Sequence, residues 1–132
     1  MAETTNLEIV TPSRVIVSEP VEMVVVPGSD GQIGALPRHS QVMSTLERGV
    51  VEVYNDNKVS SRIMIDGGIA EINPTSVVIL AERAEKLDKT NKQILNEKLL
   101  AFQAQENEID KSISDLAMKN ISFIKAVLES LD

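Results

Sequence analysis

Val21-Glu22-Met23-Val24-Val25-Val26-Pro27-Gly28-Ser29-Asp30-Gly31-Gln32-Ile33-Gly34 sets an apolar run directly against a cluster of turn residues. The run predicts a strand, with Val21, Met23 and Val25 on one face and Glu22 pointing away. Pro27 then withdraws a ladder donor, and the Gly, Ser and Asp that follow supply the chemistry of a chain reversal. The same grammar recurs on both sides. Strand candidates fall at 7–11, 15–17, 21–26, 50–54, 63–65, 69–72 and 77–81. Between them lie Thr11-Pro12-Ser13, Asn55-Asp56-Asn57, Asp66-Gly67-Gly68 and Asn73-Pro74. In the 50–54 run, Val51 and Val53 should point inward and Glu52 outward. Seven to ten short strands at this spacing indicate a sandwich or a flattened barrel.

The pattern stops abruptly. All six Gly and all five Pro lie at or before Pro74, leaving 58 residues with neither. Residues 1–84 hold 14 of the 15 Val and 8 of the 13 Ile, whereas 85–132 hold 7 of the 11 Leu and both Phe. Branched side chains suit a pleated surface, and Leu, Lys, Glu, Gln and Ala suit helices. The expected fold is therefore α+β: a β-sandwich over 1–84, then a two-helix antiparallel hairpin over 85–132.

At about 100° per residue, Leu87, Ile94, Leu95, Leu99, Ala101 and Phe102 share one arc of a helix. Ile109, Ile113, Leu116, Ala117, Ile121, Phe123, Ile124, Val127, Leu128 and Leu131 form a second arc about 160° wide. Asp88 is the candidate N-cap of the first helix, and Asn107 or Asp110 of the second. The break expected near 105–108 contains no Gly or Pro, so one continuous helix of about 70 Å is also allowed. Asn91, Lys98 and Asn120 fall inside the apolar arcs. They either edge a wet interface or weaken the packed hairpin, because a buried amide or ammonium needs partners.

Composition removes several functions. With 13 Lys and Arg against 20 Asp and Glu, the net charge is −7, and no basic cluster is present. Nucleic acid and anionic lipid both reward dense positive charge, so neither is an expected partner. The three aromatics, Tyr54, Phe102 and Phe123, make no stacking platform for bases. No run approaches the ~20 apolar residues of a membrane span, and Met1 opens no secretory layout. With no Cys and with His39 as the sole His, thiolate and zinc sites are excluded. A catalytic set would have to combine His39 with Ser40 or Ser44 and Asp30, residue types common enough to occur by chance. The glycines of 28–34 lack a phosphate-loop ending and read as turn residues at a sheet rim. Neither a cofactor nor a catalytic role is expected. A sandwich bearing a helical tail suits contact with other proteins.

Residues 24–39, Val-Val-Val-Pro-Gly-Ser-Asp-Gly-Gln-Ile-Gly-Ala-Leu-Pro-Arg-His, resemble the signature of the ε-subunit family of F-type ATP synthases. Leu46-Glu47-Arg48-Gly49-Val50-Val51-Glu52-Val53, Ile65-Asp66-Gly67-Gly68-Ile69-Ala70-Glu71-Ile72 and Val77-Val78-Ile79-Leu80-Ala81-Glu82 follow in the family's order and spacing. The resemblance implies a ten-stranded sandwich and a helical hairpin in the central stalk. There the subunit joins γ to the c-ring, so that proton-driven rotation turns γ, and it catalyses nothing itself. By position, Leu36, Pro37 and His39 match the part facing γ; Asp30, Gly31 and Gln32 match the turn facing the c-ring. Some members carry an acid where Gln32 stands. The resemblance also implies a peripheral place on the cytoplasmic face of a bacterial plasma membrane, since mitochondrial counterparts carry a transit peptide. The competing reading is an adaptor module of an unrelated assembly.

In many bacterial members the tail extends into the α/β head and restrains ATP hydrolysis. Some members bind ATP through Leu/Ile-Asp-x-x-Arg-Ala. Here the segment reads Leu87-Asp88-Lys89-Thr90-Asn91-Lys92, with Asn91 and Lys92 where the family has Arg and Ala. Helix two offers Lys111, Lys119 and Lys125 but no Arg, and Lys cannot reproduce a bidentate fork. The expectation is weak or absent nucleotide binding and modest inhibition.

Overall fold

Leu7 and Ile9 point into the core from β1 (Thr5–Val10), and Asn6 and Glu8 point out. That two-residue period is the direct consequence of the pleat, and it continues through nine further strands. These are β2 (Val15–Val21), β3 (Met23–Gly28), β4 (Gly31–Ala35), β5 (Val42–Leu46), β6 (Gly49–Asn55), β7 (Lys58–Ile65), β8 (Gly68–Ile72), β9 (Ser76–Ala81) and β10 (Ala84–Lys86). A one-turn 3-10 helix (Lys89–Asn91) leads into α1 (Lys92–Gln105) and then α2 (Lys111–Leu131). The computed structural model describes residues 3–106 and 110–131.

Hydrogen bonding orders the strands β10-β7-β6-β3-β5-β8-β9-β1-β2, with β4 paired to β3 off that path. The β1/β9 pair is parallel and the rest are antiparallel. The two ends of the path approach each other, since Arg14 before β2 lies 3.8 Å from Glu85 on β10. The ladder therefore folds over itself, and all ten strands send side chains into one core that includes Leu7, Val24, Val51, Ile63, Ile72 and Ile79. Each such side chain contributes about 1.5–3 kcal/mol by leaving water. Pro20 is tolerated because β2 ends the path and carries no ladder on its outer side. Asp56 and Asn57 close the β6–β7 hairpin with φ of 54° and 60°, as a primed two-residue turn requires.

Two details differ from the sequence pattern. Val24 and Val26, not Met23 and Val25, enter the core. The chain bends at Glu22, whose N–H is shared between the Tyr54 carbonyl and Asn55 Oδ1, each at 3.2 Å. The bend ends β2 at Val21 and resets the alternation by one residue. β4, β5 and β10 had no individual counterpart among the seven expected runs. β4 is built on Gly31, Gln32 and Gly34, β5 carries Ser44 and Thr45, and β10 has three residues. Each lacks the branched apolar run that announces a strand. Val51 and Val53 are buried as the alternation requires.

The chain divides into two units, Met1–Lys86 and Leu87–Asp132. The divide expected after residue 84 falls slightly later because Ala84–Lys86 pair with β7. In the second unit α1 and α2 pack on each other. Ala117, Ile121, Phe123, Ile124, Val127 and Leu131 are buried on α2, spanning the expected arc. α1 buries Leu95 fully and Leu99 and Phe102 partly, while Ile94 and Ala101 face solvent. Ile113 and Leu116, on the same arc of α2, are also exposed. Ile109 and Asn107 lie outside the described residues. Asp88 caps the 3-10 turn through a hydrogen bond from Thr90 N–H, and Asp110 caps α2 through Ser112 N–H. Asn91, Lys98 and Asn120 are half-buried, which agrees with the edge of a wet interface. No helix of the described residues is long and apolar enough to cross a membrane.

Candidate docking surfaces of the sandwich

β4 separates the two expected contact sites. Its first residue, Gly31, pairs with Gly28 across the turn made by Ser29 and Asp30. Asp30, Gly31 and Gln32 are exposed at that tip. Leu36, Pro37 and His39 follow its last residue, Ala35, at the opposite end. Five residues of strand place the sites about 16 Å apart.

The 36–39 loop is rigidly held. Arg38 adopts φ of 67°, a left-handed conformation that costs a non-glycine residue about 1–2 kcal/mol. Its N–H reaches the Pro74 carbonyl at 2.8 Å, and its guanidinium meets Glu3 at 2.6 Å. Pro74 is itself fixed, since Asn73 Oδ1 accepts from the backbone of Thr75 and Ser76. His39 closes the turn with N–H to the Leu36 carbonyl and places Nδ1 2.7 Å from the Ser40 carbonyl. With Nδ1 so engaged, His39 is oriented as a loop side chain, leaving Leu36 exposed.

A third surface escapes a reading by simple alternation. Cross-strand register aligns Thr45 with Ile69, Ile69 with Leu80, Leu80 with Val10, and Val10 with Val15. These residues share the outer face of β5, β8, β9, β1 and β2. Ile69, Leu80 and Val15 are 42%, 54% and 56% exposed, and Met43, two residues before Thr45 on the same face, is 70% exposed. A groove of about 340 Å³ opens beside them, lined by Val10, Thr11, Pro12, Leu80, Ala81 and Glu82. A signal was present in the sequence, since 77–81 is apolar at both parities and so has something to bury on each face. An apolar row on an exposed sheet face is a candidate interaction surface.

At the tip end, Asp66 joins three loops. Its Oδ1 accepts from Arg48 Nε at 2.8 Å and its Oδ2 from Arg83 Nη1 at 3.1 Å. Burial alone would raise the Asp66 carboxyl, but the hydrogen bond and charge of Arg48, with Arg83 behind them, hold it below the ordinary value. A carboxyl depressed by folding stabilises the protein above its unfolded pKa of about 3.9 and loses that contribution as pH falls through the folded value. Asp66→Asn should therefore be less stable than the native chain by about 1 kcal/mol at pH 7, a figure kept small because solvent screens half-exposed Arg48. In urea titrations that gap should hold down to pH ~5 and narrow below pH ~4. A gap that widens in acid would contradict the assignment.

Asp88, Asn91 and Lys92 gather around the 3-10 turn and the start of α1, where the Asp88 carboxylate is occupied as a cap. The described residues bring no three His, Cys, Asp or Glu together as a metal site.

Residues 4–87 match the family described as the ATP synthase delta/epsilon chain, beta-sandwich domain. The chain belongs to the ATP synthase delta/epsilon family. It is 40% identical over 131 residues to the ATP synthase epsilon chain of Rhodospirillum rubrum, covering 99% of this chain and 96% of that one. It is 36% identical to that of Parvibaculum lavamentivorans, covering 100% and 93%. Among solved structures, a chain of the Euglena gracilis mitochondrial ATP synthase superposes with a TM-score of 0.64 at 20% identity, covering 100% of this chain and 84% of that one. One of the Tetrahymena thermophila mitochondrial central stalk and c-ring gives 0.56 at 12%, covering 99% and 98%. At these identities the two structures speak to the shared fold. Membership of the delta/epsilon family covers the whole sandwich, including both ends of β4 and the apolar outer face.

Proposed function

We propose that this chain is a non-catalytic central-stalk subunit of a bacterial F-type ATP synthase, coupling proton-driven rotation of the c-ring to γ. The observation that carries this reading is the apolar row of Ile69, Leu80, Val10 and Val15 on the outside of a sandwich whose core is already complete. Torque transfer needs a rigid body with two grips. The outer row, with Met43 and the 36–39 loop, serves as the grip on γ. The tip at Asp30, Gly31 and Gln32 faces the polar loops of the ring, where Asp30 supplies the carboxylate and Gln32 a neutral contact. The subunit then sits peripherally at the cytoplasmic face of the plasma membrane.

The test is reconstitution of the full chain with γ alone, before any α or β subunit is added. A stable one-to-one complex is expected. Failure of the folded chain to bind γ would favour an adaptor of another assembly.

The tail is assigned a modest regulatory role. Asp88 is committed to capping, Asn91 replaces the arginine of the nucleotide motif, and α2 offers lysines alone as its basic residues. Calorimetric titration of ATP into the chain should give a Kd weaker than ~100 µM, about −5.5 kcal/mol or less. A tighter value would show that Lys92 and the α2 lysines suffice. Removing 87–132 should raise the hydrolysis rate of the assembled enzyme by no more than about threefold, under 1 kcal/mol of restraint; a larger rise would make the tail a principal inhibitor.

A further inference from the structure

Four loops meet at the tip end of the first unit, and hydrogen bonds link them in series. Ser29 N–H reaches the Thr45 carbonyl at 3.0 Å, Ser29 Oγ reaches the same carbonyl at 3.2 Å, and Thr45 Oγ1 reaches Ser29 Oγ at 3.1 Å. Glu47 N–H reaches the Pro27 carbonyl at 2.9 Å. The β3–β4 turn is thus latched to residues 45–47. Arg48 comes next, and Gly49 after it lies so close to Pro27 that a Cβ there would stand 2.8 Å from the proline Cβ. Arg48 is therefore pinned on both sides to the strand that ends in the tip.

The far end of the Arg48 side chain is held by Asp66, whose own backbone is anchored by N–H to the Arg83 carbonyl at 2.9 Å. Arg83 returns to the second carboxylate oxygen. One carboxylate, 17% exposed, so connects the β5–β6, β7–β8 and β9–β10 loops, and through the first of them the tip. A charge-assisted bond at this depth is stronger than a neutral one and directional.

We infer that Asp66 is a positioning residue for the tip at 29–32, acting through Arg48 to hold the 45–49 segment in the place where the tip is latched. Its bearing on the ring rests on the assignment of that tip to the c-ring made above. Local opening, more than global stability, is the quantity the bridge controls, because the latch itself is a handful of exposed hydrogen bonds.

The experiment is amide hydrogen exchange by NMR on the full chain. Asp66→Asn should speed exchange at Ser29 and Glu47 about tenfold more than at Ile9 in β1, which should rise only about fivefold with the loss of global stability given above. Arg48→Gln should reproduce this and carries the comparison if Asp66→Asn fails to fold. Arg83→Gln should leave both amides within about twofold, because Arg48 keeps its own carboxylate oxygen. Unchanged exchange at Ser29 and Glu47, or acceleration spread evenly over all strands, would overturn the positioning role. In a γ and c-ring subcomplex, Asp66→Asn should weaken attachment to the ring about tenfold and affinity for γ less than about twofold. A loosened tip with undiminished ring attachment would uphold the positioning role and overturn the assignment of the tip to the ring.

Discussion

Gly68→Ala is expected to unfold the first unit or to destabilise it by more than about 4 kcal/mol, a size that few substitutions reach. Gly68 has φ of 132°, which alanine reaches at a cost, and an added Cβ would stand 2.1 Å from the Leu80 carbonyl oxygen and 2.9 Å from Ala81 Cα. Both are backbone atoms of β9, so no side-chain rotation relieves the clash. Relief requires β8 and β9 to part at the Gly68 and Ala81 pair, and that ladder supports Ile72, Val77 and Ile79 in the core. Total stabilities of about 5–15 kcal/mol leave little margin for such a loss. Gly34→Ala is the control. It has ordinary φ and nothing within 4 Å of the added methyl, and should change stability by less than about 0.5 kcal/mol. Urea unfolding followed by circular dichroism compares them. A Gly68→Ala midpoint close to native would mean that β8 and β9 are less tightly joined than their register implies.

Leu80→Glu is expected to weaken binding to γ by at least about 100-fold, or ~2.7 kcal/mol, with the melting temperature unchanged. Leu80 sits mid-row, flanked by Ile69 and Val10, and borders the groove with Pro12. In the free chain the new carboxylate stays in water, so folding is untouched. In a complex it would be desolvated against apolar surface without a partner, which costs several kcal/mol. Arg62→Ala is the matched control. Arg62 lies on β7, away from the row, in an exposed pair with Glu52, and its removal should move γ affinity less than about twofold. Calorimetry with isolated γ reads both. Equal affinity of Leu80→Glu and native chain would move the γ grip off this face.

Residues near in sequence carried most of what could be read beforehand. The loss of Gly and Pro after Pro74, the change of period after residue 84, the turn clusters and the ordered signature across 24–82 led to the sandwich, the helices and the family. The two ends of β4 entered as candidate sites only through the resemblance of 24–39 to the family signature, since the residues by themselves read as turn chemistry. Met43, Ile69, Leu80, Val10 and Val15 did not enter, because they become neighbours through pairings that no local motif records.

The apolar runs of seven strands, most of the places where the chain turns, and the switch from strand to helix were determined by sequence alone, because each follows from the backbone preferences of adjacent residues. Which parity faces the core at Val24 and Val26, and which apolar residues remain for a partner, was decided by tertiary structure. A strand's period is local, but its facing depends on register with strands up to seventy positions away, as with Val10 and Leu80.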